Sequence, residues 1–212
     1  MLGALLDLVI AAAMVQWLYL PGYLANTMAM LGGKWIPEMT GIRVVPIDGG
    51  RTMGDGNRIL GDGKTWNGLV MAIFGGGLLA LACQAISFGG AIFIPLTEGV
   101  DAAWFAVGGV WGTAFVMGCV MGLGTMIGDA MGSFVKRRRG LKREGEISSK
   151  APLLDTLPFA VMTFAFGLLF LEGVVTSASA QSGMLALLLL TPIIHRGVNI
   201  IGFKLGLKDV PY

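Results

Sequence analysis

Six charged side chains stand close together between Pro46 and Trp66: Asp48, Asp55 and Asp62, each followed by Gly, together with Arg51, Arg58 and Lys64. Glycine after each Asp lets the backbone turn sharply and approach a ligand while the carboxylates project from it. Carboxylates alone would suit a hard cation, and bases alone a plain anion. Both in one glycine-rich loop suit a metal–polyphosphate complex, in which Asp holds Mg²⁺ directly or through water and Lys and Arg neutralise phosphate oxygens. Asp-Gly is also ordinary turn chemistry, and a charged loop at a membrane surface is commonly just solvated. Gly63-Lys64-Thr65 matches the end of a Walker A loop. That motif needs Gly where this chain has Arg58, and no strand pattern precedes it, which excludes a P-loop.

A second group begins at Asp129, at the lower end of a glycine-rich apolar run, and continues through Ser133, Lys136, Arg137, Arg138 and Arg139 to Asp155. An ionisable residue at the end of such a run is a functional candidate, because burying it without a partner is costly. Asn26, just after Pro21-Gly22, and Arg196, beside the one His of the chain (His195), are further polar residues at the ends of apolar runs.

The elements that must carry these groups follow from composition. The chain has 212 residues, 55% hydrophobic and only 13% charged, with 34 glycines. That is too little polar surface for a soluble domain, and the apolar residues fall in long runs. The pattern predicts an all-α integral membrane protein forming one domain over 1–212, with five transmembrane helices at about 2–30, 66–88, 103–134, 157–175 and 183–203. Two long charged loops, about 31–65 and 135–156, separate them. The first run lacks a basic leading segment, carries Asp7 and is longer than a signal peptide, so it counts as a span. Gly108, Gly112, Gly118, Gly122, Gly124, Gly128 and Gly132 recur at spacings that give the third helix a smooth face for close helix packing, within one chain or against a second copy. Cys83 and Cys119 lie in apolar runs and read as small hydrophobes.

Charge distribution orients the spans. With the N-terminus outside and the C-terminus cytoplasmic, the two long loops and the C-terminal end carry five, seven and three Lys/Arg, all 15 in the chain. This satisfies the positive-inside rule without exception. The same orientation gathers Asp48, Asp55, Asp62, Asp129, Asp155, Lys64, Lys136 and Arg137 on the cytoplasmic face. Topology and anionic headgroups account for the remaining bases, so nucleic-acid binding has no support.

The run Gly128-Asp129-Ala130-Met131-Gly132-Ser133-Phe134-Val135-Lys136-Arg137, with Asp155 26 residues after Asp129, resembles the Gly-Asp…Ser-x-x-Lys-Arg…Asp signature of CTP:phosphatidate cytidylyltransferases. The whole chain is similar to the archaeal CDP-archaeol synthase branch, through Pro21-Gly22-Tyr23-Leu24-Ala25-Asn26, Pro46-Ile47-Asp48-Gly49-Gly50, Gly61-Asp62-Gly63-Lys64-Thr65-Trp66, and His195, Asn199 and Leu207-Lys208-Asp209-Val210-Pro211. The Pro-Gly-His-Gly-Gly run of the wider pattern is replaced here by Lys150-Ala151-Pro152-Leu153-Leu154, so its contacts do not carry over.

The resemblance implies a membrane enzyme of archaeal lipid synthesis that transfers CMP from CTP to 2,3-bis-O-geranylgeranyl-glycerol 1-phosphate and releases pyrophosphate. It implies Mg²⁺ held by Asp129 and Asp155, with Asp55 and Asp62 as further candidate ligands, and Lys136 and Arg137 on phosphates. Asp55, Asp62 and Lys64 would close over the nucleotide; Asp48, Arg51, Arg58, Thr65, Ser133, Arg196 and Asn26 are candidate substrate contacts. The nucleophile is an already ionised phosphate oxygen, so no strong base is required and His195 reads as structural. The two lipid chains must enter sideways, through an opening walled by apolar side chains and glycine faces. Two other readings fit parts of the pattern. A CDP-alcohol phosphotransferase would space several Asp along one helix, which Asp55-Gly56-Asn57-Arg58 does not do, and a small transporter would place charges near the bilayer midplane in repeated halves.

Overall fold

A computed structural model describes residues 2–88, 96–97, 100, 108–141, 151–175 and 178–204, the side chains of 88, 152, 171–175, 179 and 202 excepted. Regular structure among them is helical: α1 (Leu2–Met30), a π-helical turn (Leu31–Trp35), α2 (Ile36–Thr40), α3 (Trp66–Phe88), α4 (Gly109–Arg138), α5 (Pro152–Val175) and α6 (Ala178–Lys204). Two isolated bridges, Pro46 with Thr65 and Thr52 with Arg58, are the only strand-like pairings described. Among the described residues five helices are long and apolar enough to cross a membrane. Leu6, Leu78, Leu169 and Leu189 are all more than half exposed along them, as expected where lipid rather than water is the solvent.

Three expected boundaries need correction. The stretch 31–65 is not loop throughout, because α1 runs through the π turn into α2. Pro37 lies in the first turn of α2 with its φ already set, and Gly41 ends the helix at φ 72°, donating its N–H to Pro37 O at 2.8 Å. The segment from 135 is likewise not all loop. α4 continues to Arg138, with three bases in its last turn against the negative end of the helix dipole. It closes in a Schellman motif: Gly140 (φ 67°) donates to Arg137 O and Leu141 N–H to Lys136 O at 2.9 Å. α5 begins at Pro152, which places Asp155 in its first turn, at the favourable end of its dipole. Residues 103–107, the loop residues 142–150, the acidic pair Glu98 and Asp101, and the 205–212 segment lie outside the described residues, as does the Glu172 side chain.

α4 is the central element, flanked by α3 and α5 and crossed by α1. The glycine steps explain how. A Cβ on Gly118 would stand 2.3 Å from Gly76 O of α3, and one on Gly128 would stand 2.2 Å from Pro158 O of α5, so only hydrogen fits at either crossing. These glycine contacts are made within one chain. At the crossing of α1 with α4 and α5, Thr125 Oγ1 donates to Gly22 O at 2.8 Å and pairs with Thr163 Oγ1 at 2.6 Å. Tyr19 packs edge-on against Phe164, with ring centroids 4.7 Å apart. α6 closes against α1 and α5 through Tyr23 and Thr191 (3.0 Å) and through His195, whose ring lies 5.8 Å from that of Phe159.

Candidate active site

Asp129, Ser133 and Lys136 are spaced four and three residues apart on α4, which puts them on one face of the helix. Ser133 and Lys136 are buried there. On either side of Asp129, Gly128 and Gly132 bring in Pro158 and Leu154 of α5, so Asp155 lies along the same crossing. From the other flank, α3 packs against α4 and carries Lys64 at its entrance. Two ion pairs result. Lys64 Nζ donates to Asp129 Oδ2 at 2.6 Å, and Lys136 Nζ donates to Asp155 Oδ1. All four side chains are less than one-fifth exposed. Among the described residues each carboxylate is thus engaged by one lysine through one oxygen, leaving the other oxygen for a further ligand.

The first loop is arranged around a different carboxylate. The Asp48 side chain is 1% exposed. Its Oδ1 accepts from Gly50 N–H and from Arg58 Nη2, and its Oδ2 from Leu60 N–H (3.0 Å), Gly61 N–H (2.9 Å) and Arg58 Nε (3.2 Å). Burial works against the charge, but the guanidinium and the three N–H groups outweigh it and hold the Asp48 carboxyl well below the usual carboxylate range. The Arg58 guanidinium is held above its ordinary range by Asp48 and next by Asp62, which it reaches at 2.6 Å. Asp62 is otherwise open, with its side chain 71% exposed. Asp55 accepts from Asn57 N–H and pairs with Arg138; these bonds lower its pKa against a smaller opposing effect of burial.

The remaining expected residues divide. Thr65 is buried as the N-cap of α3, its Oγ1 accepting from Gly68 N–H at 3.1 Å, so it holds the helix that carries Lys64. Arg137, expected on a phosphate, donates to Leu141 O at 2.5 Å and, in a longer contact of 3.5 Å, to Leu60 O. Its guanidinium covers Gly61, whose φ of 93° and lack of Cβ make room for it. Arg51 and Arg196 are exposed and Asn26 is half-buried on α1; none of the described contacts joins them to the ion pairs. Asn199, buried on α6, meets His195 Nδ1 at 3.3 Å.

Arg138 was visible only as one base in a run of four, and the structure gives it particular contacts. It pairs with Asp55 at 2.6 Å and donates from Nη2 to Arg58 O (2.7 Å) and Asn57 O (3.3 Å). Its guanidinium carbon lies 5.4 Å from the Phe134 ring centre. An apolar groove of about 440 Å³ lies beside the loop base, between α2 and α3, lined by Ile36, Pro37, Ile42, Val45, Trp66 and Val70 among others. The glycines of α4 pack against α3 and α5 and do not line this groove.

Fold and site together define a multi-pass membrane protein with two carboxylate–lysine pairs at one end of a helix bundle. A family model described as "CarS-like: CDP-archaeol synthase" matches residues 5–212, and the chain belongs to that family. CDP-archaeol synthase of Methanosarcina mazei is 36% identical over 195 residues, covering 91% of this chain and 99% of that protein. Those of Thermococcus gammatolerans (37% over 198 residues; 92% and 94%) and Methanococcus aeolicus (39% over 192 residues; 90% and 91%) are similar to the same extent. A solved structure described as "Structural insight into an intramembrane enzyme for archaeal membrane lipids biosynthesis" superposes with a TM-score of 0.55 at 29% identity, covering 87% of this chain and 92% of that one. The chain is accordingly an enzyme, a CTP-dependent cytidylyltransferase.

Proposed function

We propose that the chain transfers CMP from CTP to 2,3-bis-O-geranylgeranyl-glycerol 1-phosphate, giving the CDP-activated lipid and pyrophosphate, in an archaeal cell membrane. The observation that carries this reading is the joining of Lys64–Asp129 and Lys136–Asp155 at one helix crossing, from α3, α4 and α5. Attack of one phosphate oxygen on the α-phosphorus of CTP requires two repelling anions to be held together and a leaving pyrophosphate to be stabilised. Lys64 and Lys136 are fixed cations for that task. Ser133, one turn from each member of the face, is a donor for a phosphate oxygen.

The donor set fits Mg²⁺: hard carboxylate oxygens, two in number, with one oxygen of each unengaged, which is the usual complement of an ion that also takes substrate phosphates and water. Asp129 and Asp155 would hold it. When bound, it would neutralise phosphate charge and favour departure of pyrophosphate. Among the described residues no group of three or more His, Cys, Asp or Glu comes together, so substrate oxygens complete any such site. Asp48 is excluded from direct ligation by its filled oxygens. Asp62 is the most open of the three first-loop carboxylates and would be the one to meet an incoming nucleotide, and Arg51 and Arg196 are open to phosphate.

Five spans with all bases on one face support an outside N-terminus and a cytoplasmic C-terminus, which brings the site to the side where CTP is found. The groove between α2 and α3 supports sideways entry of an isoprenoid chain, because its wall is apolar and includes Trp66, two residues after Lys64 in the chain. The direct assay is formation of CDP-lipid and pyrophosphate by purified protein in detergent with Mg²⁺, CTP and the geranylgeranylated glycerol phosphate. Product from the native chain and none from a folded Asp129→Asn variant is expected. No product from a folded native chain with any nucleotide or lipid phosphate would overturn the reading.

A further inference from the structure

The first loop touches the rest of the protein at its base, beneath Arg137 at Leu60 and Gly61, and at its far end. At its base, Val45 O accepts from Trp66 N–H (2.9 Å), Val45 N–H donates to Asn67 Oδ1 (3.1 Å), and Ile47 N–H donates to Lys64 O (2.8 Å). At its far end, the small hairpin around the Thr52–Arg58 bridge meets the last turn of α4. We propose that Arg138 is a positioning residue of the nucleotidyl-transfer site: it grips the hairpin and, through it, fixes Lys64 opposite Asp129. The proposal rests on the reading that Lys64 serves the nucleotide phosphates.

The connection can be followed bond by bond. Arg138 holds the carbonyls of Arg58 and Asn57. The Arg58 side chain holds Asp48. Asp48 receives the N–H groups of Leu60 and Gly61, and Gly61 O receives Lys64 N–H at 3.2 Å. Lys64 then reaches Asp129. Without the grip at its tip, a loop rich in glycine, with Gly49, Gly50, Gly56 and Gly61 all at positive φ, would be held only at its base and by the long contact of Arg137 to Leu60 O (3.5 Å). Arg138 itself makes no contact with either carboxylate–lysine pair, so its effect is indirect.

The chemistry of the grip identifies what matters in it. The Asp55 partner is 38% exposed, and a pair so open to water contributes little. The planar guanidinium, with Nη2 on two backbone carbonyls, Nη1 on Asp55 and its face over Phe134, is something that the point charge of a lysine cannot reproduce. Arg138→Lys should therefore behave nearly like Arg138→Ala, and Asp55→Asn should do much less.

The test uses the full chain in detergent. Amide hydrogen exchange over 57–64 should quicken by about tenfold or more in Arg138→Ala, the scale of losing a charged hydrogen bond, while Leu154 and Asp155 at the start of α5 keep their native rates. KM for CTP should rise by a similar factor of about ten. In a Lys64→Ala background the same change should add little, because the two act through one contact. A merely structural residue would give additive effects. Unchanged exchange of the loop, additivity with Lys64→Ala, or full rescue by Arg138→Lys would each overturn the proposal; Arg138→Gln serves where the alanine variant does not fold. Should the native chain transfer no cytidylyl group at all, the assigned reaction falls, and loop exchange still decides whether Arg138 holds the hairpin.

Discussion

Asp48 on the one hand and Asp129 and Asp155 on the other look alike as letters: an acidic residue beside glycine or at a helix end, with bases nearby. Their surroundings differ in kind. Asp48 has both oxygens filled by one guanidinium and three backbone N–H groups, all from its own loop. Asp129 and Asp155 each meet one lysine brought from another element. A carboxylate saturated by its own loop shapes that loop; one with an oxygen to spare, held by groups distant in sequence, can take a substrate or an ion. The difference lies in unfilled bonding capacity, not in residue type.

The largest effect that separates the two is expected at the helix crossing. Asp129→Asn or Asp155→Asn should lower turnover at least about a hundredfold, the scale of losing a preorganised charge at a reacting phosphate, with helicity and detergent-size profile unchanged. Activity close to native in either variant would break the comparison. Next comes the crossing itself. Gly128→Ala places a Cβ 2.2 Å from Pro158 O, and Gly132→Ala places one 2.2 Å from Leu154 O. Each should cost about 1–3 kcal/mol or more, since backbone cannot yield as a flexible side chain can, and thermal unfolding should show it.

Asp48→Asn should act on the loop and not on the chemistry. KM for CTP should rise by about tenfold, with turnover largely recovered at saturating CTP; if turnover vanished while loop exchange stayed native, Asp48 would belong with the site carboxylates. Its pH behaviour sharpens the same point. The Asp48 pKa is depressed in the folded chain, so its stabilisation is whole above the ordinary carboxylate value of about 3.9 and is lost only as pH falls below that, through the folded value. Loop exchange, corrected for the intrinsic rate, should be flat from neutral pH down to about 5, and a loosening attributable to Asp48 within that range would count against the assignment. The smallest effect is expected at Thr65→Val, which removes the cap on Gly68 N–H at a cost of about 1 kcal/mol and should be restored by Thr65→Ser.

Much of this was legible in the letters. The five spans follow from runs of apolar residues too long for anything but a membrane helix. The glycine steps from Gly118 to Gly132 announced close packing, but not on the one face expected: the two-residue step from Gly122 to Gly124 turns the repeat, so Gly118 and Gly122 meet α3 while Gly124, Gly128 and Gly132 meet α5. Asp129, Asp155, Lys64 and Lys136 were visible as charges that a greasy chain would otherwise avoid. The missed signals were local: Pro152 followed by Asp155 is a helix start, and Lys136-Arg137-Arg138 ahead of Gly140 is a helix end. Length and hydropathy placed those boundaries at the edge of the apolar run, although a helix that leaves the membrane continues wherever caps and dipole favour it.

The five spanning helices, their order and the supply of acids and bases were determined by the sequence alone, because they depend on hydrophobic runs and counts of charge. Which acid meets which base was decided only by the tertiary structure. Lys64 and Asp129 are 65 residues apart and Arg138 and Arg58 80 apart. Such pairings depend on how α3 and α5 seat against α4 and where the hairpin comes to rest on its last turn. Side-chain reach is a few ångströms, so a contact of that range exists only after the helices have been placed.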